Sequence, residues 1–165
     1  MEQGSILIYS GDGHGKSPAA LGRAVQAAAE GKQVVILQFL KGKGADEFSF
    51  LRRLEPEIKF FRFEKSEGDF SSLSREQQEE ECRNIRNGIG FAKKVLSTGE
   101  CDLLILDEVL GLIDNEIITV EDLKRLLESK AEETTVIMTG IQLSDEVCIL
   151  ADEVSRIETL KFKAW

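Results

Sequence analysis

The chain has 165 residues, 42% of them hydrophobic and 31% charged, and a formal net charge of −9. That length suits one domain over residues 1–165, able to bury roughly 70% of its unfolded surface without staples. The negative charge excludes a global basic field for nucleic acid, and no apolar run approaches the ~20 residues of a membrane span.

Ser5 to Ser10 (SILIYS) opens the chain as a short apolar run, with too little sequence before it for a signal peptide. Four similar runs follow: Gln33 to Phe39, Ile58 to Phe63, Asp102 to Asp107 and Thr134 to Thr139. Runs of about 5–7 residues rich in Val, Ile and Leu suit parallel strands buried on both faces. Val154 to Leu160 alternates and reads as an edge strand. Between the runs lie helical patterns. Lys16 to Glu30 is rich in alanine and ends at Gly31. Ser74 to Leu96 opens on a capping box, S-R-E-Q, and puts Ile85, Ile89, Ala92 and Leu96 on one face. Glu79, Glu80 and Glu81 read as a solvated face near that helix start. Thr119 to Lys130 buries Leu123, Leu126 and Leu127. Lys41 to Asp46 and Lys65 to Ser74 read as loops. Strand and helix alternate throughout, which predicts a three-layer α/β fold with a mostly parallel sheet of five or six strands. Cys82, Cys101 and Cys148 fit no metal-ligand spacing and read as buried, reduced thiols of a cytoplasmic protein.

Between the first strand and the first helix stands S-G-D-G-H-G-K-S-P, residues 10–18. It meets the phosphate-loop pattern G-x-x-x-x-G-K-[ST] except at its first letter, which is Ser10. Gly11, Gly13 and Gly15 are expected to turn with positive φ and let phosphate approach, with amides forming an anion nest at a helix N-terminus. Ser10, Gly11, Asp12, Gly13, His14, Gly15, Lys16 and Ser17 are thus the expected nucleotide-binding residues. Lys16 reaches phosphate oxygens, Ser17 holds Mg²⁺, and Pro18 falls in the first helical turn, where a missing N–H costs little. The strand Leu103 to Glu108 (LLILDE) ends in two carboxylates, Asp107 and Glu108, a Walker-B arrangement for Mg²⁺. The single histidine, His14, lies inside the loop, so histidine-based triads are excluded and the chemistry rests on positioning and charge stabilisation.

As a unit, Ser10 to Gly42 resembles the start of the ATP:corrinoid adenosyltransferases. That family carries [ST]-G-[ND]-G-K-G-K-T-T-A-A, then G-K-x-V and Q-F-x-K-G, which accounts for Ser10 and is matched by Gln38, Phe39, Lys41 and Gly42. Leu106-Asp107-Glu108, Thr139-Gly140 and Leu150-Ala151-Asp152 match as well. The resemblance implies a RecA-like phosphate-loop fold, a site at the C-terminal ends of the strands, and transfer of the 5′-deoxyadenosyl group of ATP to the Co(I) of a corrinoid, with triphosphate leaving. It implies Lys16 and Glu108 as catalytic residues, Ser17, Glu108 and Asp107 on the metal side, ATP, Mg²⁺ and a reduced corrinoid as ligands, a homodimer, and a flavoprotein reductant. Phe70 stands where the family's corrinoid-facing loop carries aromatics.

The chain departs from the family pattern at several positions. His14 replaces a lysine, Pro18 a threonine and Gln26 an arginine, with Arg23 one turn earlier. The loop tryptophan is absent from Glu67 to Ser72, the arginine after the T-G pair is absent at Gly140-Ile141-Gln142, and the chain stops at Trp165. These changes weigh more on corrinoid handling than on nucleotide binding. His14 is either a solvent-facing replacement or a phosphate contact that strengthens on protonation. Two other functions would use the same loop. A kinase or nucleotide hydrolase would release ADP or phosphate, and a non-catalytic nucleotide- or corrinoid-binding protein would show no turnover.

Overall fold

The computed structural model describes residues 3–40, 51–63 and 70–163. The expected loop at Lys41 to Asp46, the matched Lys41 and Gly42, residues 65–69 of the expected loop Lys65 to Ser74, and Trp165 lie outside them.

Six parallel strands form one sheet: β1 (Ile6–Ser10), β2 (Val34–Gln38), β3 (Ile58–Arg62), β4 (Leu103–Asp107), β5 (Thr135–Gly140) and β6 (Glu153–Arg156). Their order is β3-β2-β4-β5-β1-β6. The central strands β2 and β4 are buried at every residue, as continuous apolar runs require, whereas the edge strands β3 and β6 are partly exposed. Thus β6 is the expected edge strand, but it stops at Arg156, and residues 157–163 continue as irregular chain.

Among the described residues one α-helix of eight residues or more packs on one face of the sheet. This is α1 (Lys16–Ala29), whose Ala20 and Ala24 pack on Leu7, Val34, Ile36, Leu103, Ile105 and Ile137. Small alanines let α1 lie close to the strands, and Gly31 closes it at φ 83°. The opposite face is covered by α2 (Arg75–Thr98), α3 (Val109–Asp114), α4 (Val120–Glu128) and α5 (Asp145–Cys148). The expected S-R-E-Q capping box is present at α2, with Ser74 and Gln77 exchanging hydrogen bonds, and Gly99 ends the helix at φ 66°. At α4, Thr119 and Asp122 form a second capping box, and the hydrogen bonds from Thr119 hold the Asp122 carboxyl below the usual carboxylate range.

Two expectations about burial fail. Glu81 is 2% exposed, because it stands one helical turn before Ile85 on the inward face of α2. Only Glu79 and Glu80 are solvated. Of the cysteines, Cys101 alone is buried, while Cys82 and Cys148 are half-buried.

Candidate functional site

The loop between β1 and α1 lies at the C-terminal edge of the sheet, where parallel α/β sheets bind ligands. Ser10 ends β1 and is buried, and Lys16 is the first residue of α1. The first N–H groups of a helix are in general not used by the helix itself, so the start of α1 is a place where an anion can be received. Pro18 is the third residue of α1, within the first turn as expected. Lys16 Nζ folds back to donate to the carbonyl of Gly13 at 3.0 Å.

Only Gly11 has positive φ, at 118°; the other two loop glycines do not, contrary to expectation. The reason for glycine at 11 and 13 is a neighbour from the far end of the chain. A Cβ at either position would meet the Ile157 carbonyl oxygen, at 2.4 Å from residue 11 and 2.6 Å from residue 13. The segment after β6 straps over the loop. Ile157 N–H donates to Ser10 O at 2.8 Å, Gly13 N–H donates to Ile157 O at 3.1 Å, and His14 N–H donates to Thr159 Oγ1 at 3.2 Å. The His14 ring meets Phe162 edge-on, with centroids 4.8 Å apart. Asp12 is exposed on the loop.

The two halves of the expected site meet. Ser17 Oγ, in the first turn of α1, donates to Asp107 Oδ1 at the tip of β4 at 2.8 Å. Asp107 is 4% exposed and takes two further hydrogen bonds, from Thr139 Oγ1 to Oδ1 at 2.7 Å and from Gln38 Nε2 to Oδ2 at 3.0 Å. Three neutral donors therefore stabilise a buried carboxylate. Glu108 follows in the left-handed conformation at φ 63°, unusual for a non-glycine residue, and its N–H donates to Thr139 Oγ1 at 2.8 Å. This turn separates the two adjacent acids. Asp107 faces Ser17, while Glu108 lines a cavity of about 330 Å³ together with Leu40, Phe70, Gly111, Asp114 and Ile141. Burial pushes the Asp114 carboxyl above its ordinary range. Phe70 thus shares a cavity with Glu108, whereas Glu67 to Asp69 lie outside the described residues.

Arg23 and Gln26 do not belong to this site. They line a cavity of about 430 Å³ at the opposite, N-terminal edge of the sheet, with Gly4, Lys32, Asp102 and Glu133. That cavity is the roomier of the two but holds no residue of the loop or of the acidic strand tip. Sequence reasoning missed Thr139 and Gln38 as partners of Asp107. The signal was a polar residue at the end of each apolar run, level with Asp107. Among the described residues no cluster of three or more His, Cys, Asp or Glu could hold a metal ion, and no helix is long and apolar enough to cross a membrane.

Comparison with known proteins identifies the family and the fold. Residues 2–164 match the family model described as ATP:corrinoid adenosyltransferase BtuR/CobO/CobP. A corrinoid adenosyltransferase of Escherichia coli (strain K12) is 30% identical over 160 residues, covering 97% of this chain and 79% of the relative. The corrinoid adenosyltransferase CobA of Salmonella typhimurium is 29% identical with the same coverage. Among solved structures, the flagellar accessory protein FlaH from Methanocaldococcus jannaschii superposes with a TM-score of 0.63 at 20% identity, covering 99% of this chain and 75% of that one. A KaiC-like protein from Pyrococcus horikoshii OT3 superposes with a TM-score of 0.58 at 17% identity, covering 99% and 77%. At such identities these two likenesses speak for the fold, that of RecA-like phosphate-loop proteins, and not for activity.

Proposed function

This chain belongs to the ATP:corrinoid adenosyltransferase family, and on that premise we propose that it transfers the 5′-deoxyadenosyl group of ATP to the cobalt of a reduced corrinoid. The observation that carries the reading is the 2.8 Å hydrogen bond from Ser17 to Asp107. It joins the phosphate-loop helix to the acidic strand tip, the two halves that a nucleotide site needs in contact.

In this reaction the electron pair of Co(I) forms a cobalt–carbon bond at the ribose 5′-carbon. The C5′–O bond breaks, its electron pair leaves on triphosphate, and cobalt ends two electrons more oxidised. The chain's part is to bind, orient and stabilise charge. Lys16 Nζ exchanges the Gly13 carbonyl for a phosphate oxygen, and the N–H groups at the start of α1 hold the triphosphate within the loop Ser10 to Ser17. Ser17, Asp107 and Glu108 serve the metal side. They offer only oxygen donors, which suits magnesium, a hard cation usually held by one or two carboxylates plus substrate phosphates. When bound, magnesium neutralises charge on the leaving triphosphate. Phe70, beside Glu108 in the cavity at the strand ends, faces the corrinoid. We further read the protein as a cytoplasmic homodimer that receives Co(I) through a flavoprotein reductant. Light scattering on the purified chain tests the dimer.

The test of the activity is direct. Protein, MgATP and chemically reduced cobalamin are mixed, and the Co(I) absorbance is followed. Conversion to a light-sensitive alkyl-cobalt spectrum with one triphosphate released per cobalt supports the reading. ADP or phosphate as product would make the protein a phosphoryl-transfer enzyme or hydrolase instead. ATP binding without conversion would make it a binding protein.

A further inference from the structure

A row of polar side chains crosses the sheet at the level of the loop. Arg62 pairs in register with Gln38, and Gln38 with Asp107, so the ends of β3, β2 and β4 stand side by side. Thr139 continues the row on β5, one residue past the Leu106–Met138 pair. Each lies two residues beyond a side chain packed toward α1: Phe60, Ile36, Ile105 and Ile137. Strand alternation therefore puts all four on the α1 face, where Ser17 meets Asp107.

Arg62 donates to Gln38 Oε1 through Nε at 3.1 Å and Nη2 at 2.9 Å. Gln38 Nε2 donates in turn to Asp107 Oδ2 at 3.0 Å. A guanidinium has donors only, so the Gln38 carbonyl must face Arg62. The amide group of Gln38 must then face Asp107, and Asp107 is met by a donor rather than a lone pair. The positive charge of Arg62 also polarises the amide, strengthening the second bond.

We propose that Arg62, acting through Gln38, is a positioning residue of the nucleotide site. It locks the Gln38 amide in the orientation that secures Asp107 Oδ2, leaving Oδ1 directed at Ser17 and the metal side of the nucleotide. The inference rests on reading the loop as an MgATP site. Without Arg62 the amide can turn over and set its oxygen against Asp107, and the carboxylate then swings off Ser17.

The test replaces the arginine by Met, which keeps length and loses charge and donors, and by Lys, which keeps the charge and one donor set. ATP binding is measured by calorimetry with magnesium and with EDTA, and thermal melting checks folding. Wild-type protein is expected to bind ATP more tightly with magnesium than with EDTA. Arg62→Met is expected to lose about fivefold of the magnesium-dependent affinity and to keep its affinity in EDTA. Arg62→Lys is expected to stay within about twofold of wild type. Gln38→Met cuts the same chain at its middle, carries the same expectation, and serves if Arg62→Met does not fold. An unchanged magnesium-to-EDTA ratio in the Met variants overturns the proposal. So does equal loss in both conditions, which would make Arg62 a support of the fold alone. If wild-type protein binds no ATP in either condition, the nucleotide-site reading fails first and this inference with it.

Discussion

Thr139→Val tests the architecture of the acidic strand tip most sharply. Thr139 is fully buried, and valine has nearly its shape, so the change leaves no cavity. It removes one hydroxyl that serves two partners, donating to Asp107 Oδ1 at 2.7 Å and accepting the Glu108 N–H at 2.8 Å. A hydrogen bond to a charged group contributes about 1.5–3 kcal/mol, and a neutral one about 1 kcal/mol. Asp107 keeps Ser17 and Gln38, so its desolvation is only partly exposed, and the expected loss is about 2–4 kcal/mol. For a domain of this size that lowers the melting temperature by about 4–16 °C. Thr139→Ser keeps the hydroxyl and loses one methyl, costing about 1 kcal/mol. Calorimetric melting of the three proteins therefore gives the order wild type, serine, valine. A valine variant melting with wild type, or a serine variant melting below valine, would refute the reasoning.

Glu108→Gly relieves a left-handed residue and is expected to gain about 1 kcal/mol of stability while abolishing adenosyl transfer, a divergence read from denaturant unfolding beside turnover. Gly22→Ala and Gly90→Ala put a methyl where nothing lies within 4 Å on α1 and α2 and should each stabilise by about 0.5–1 kcal/mol. Gly88→Ala, also on α2, would set its Cβ 2.6 Å from the Phe63 ring, so its unfolding midpoint should fall. Burial, then the nearby Asp102 and Glu100, push the Cys101 thiol from 9.0 up to about 12. The unfolded chain releases that proton first, so stability is expected to fall as pH rises through about 9. Urea midpoints between about pH 8 and 10.5 should decline less in Cys101→Ala than in wild type.

Much of this was legible in the sequence. The central strands announced themselves as short apolar runs, because a strand buried on both faces has no room for polar alternation, and β6 announced itself by alternating, as a partly exposed edge does. The loop and the acidic tip announced themselves because each sits at the end of such a run. The short helices α3 and α5 did not, since six and four residues carry too little periodicity. The burial of Glu81 was legible in principle from its spacing to Ile85, but three successive glutamates masked it. The partners of Asp107 were not, because which strand end lies beside which depends on the order β3-β2-β4-β5. The glycines at 11 and 13 were read as room for a ligand, when the chain's own Ile157 carbonyl fills the space beside them.

That last contact has a practical side. The final described residues end beside the nucleotide loop, whereas Gly4 hydrogen-bonds Glu132 at the other edge of the sheet. A purification tag or fusion partner joined near Phe162 would hang over the entrance and tug on the joint that shapes it. The same cargo joined ahead of Gly4 would trail from the far side, so the direction of fusion decides whether an inactive preparation speaks of the protein or of its label.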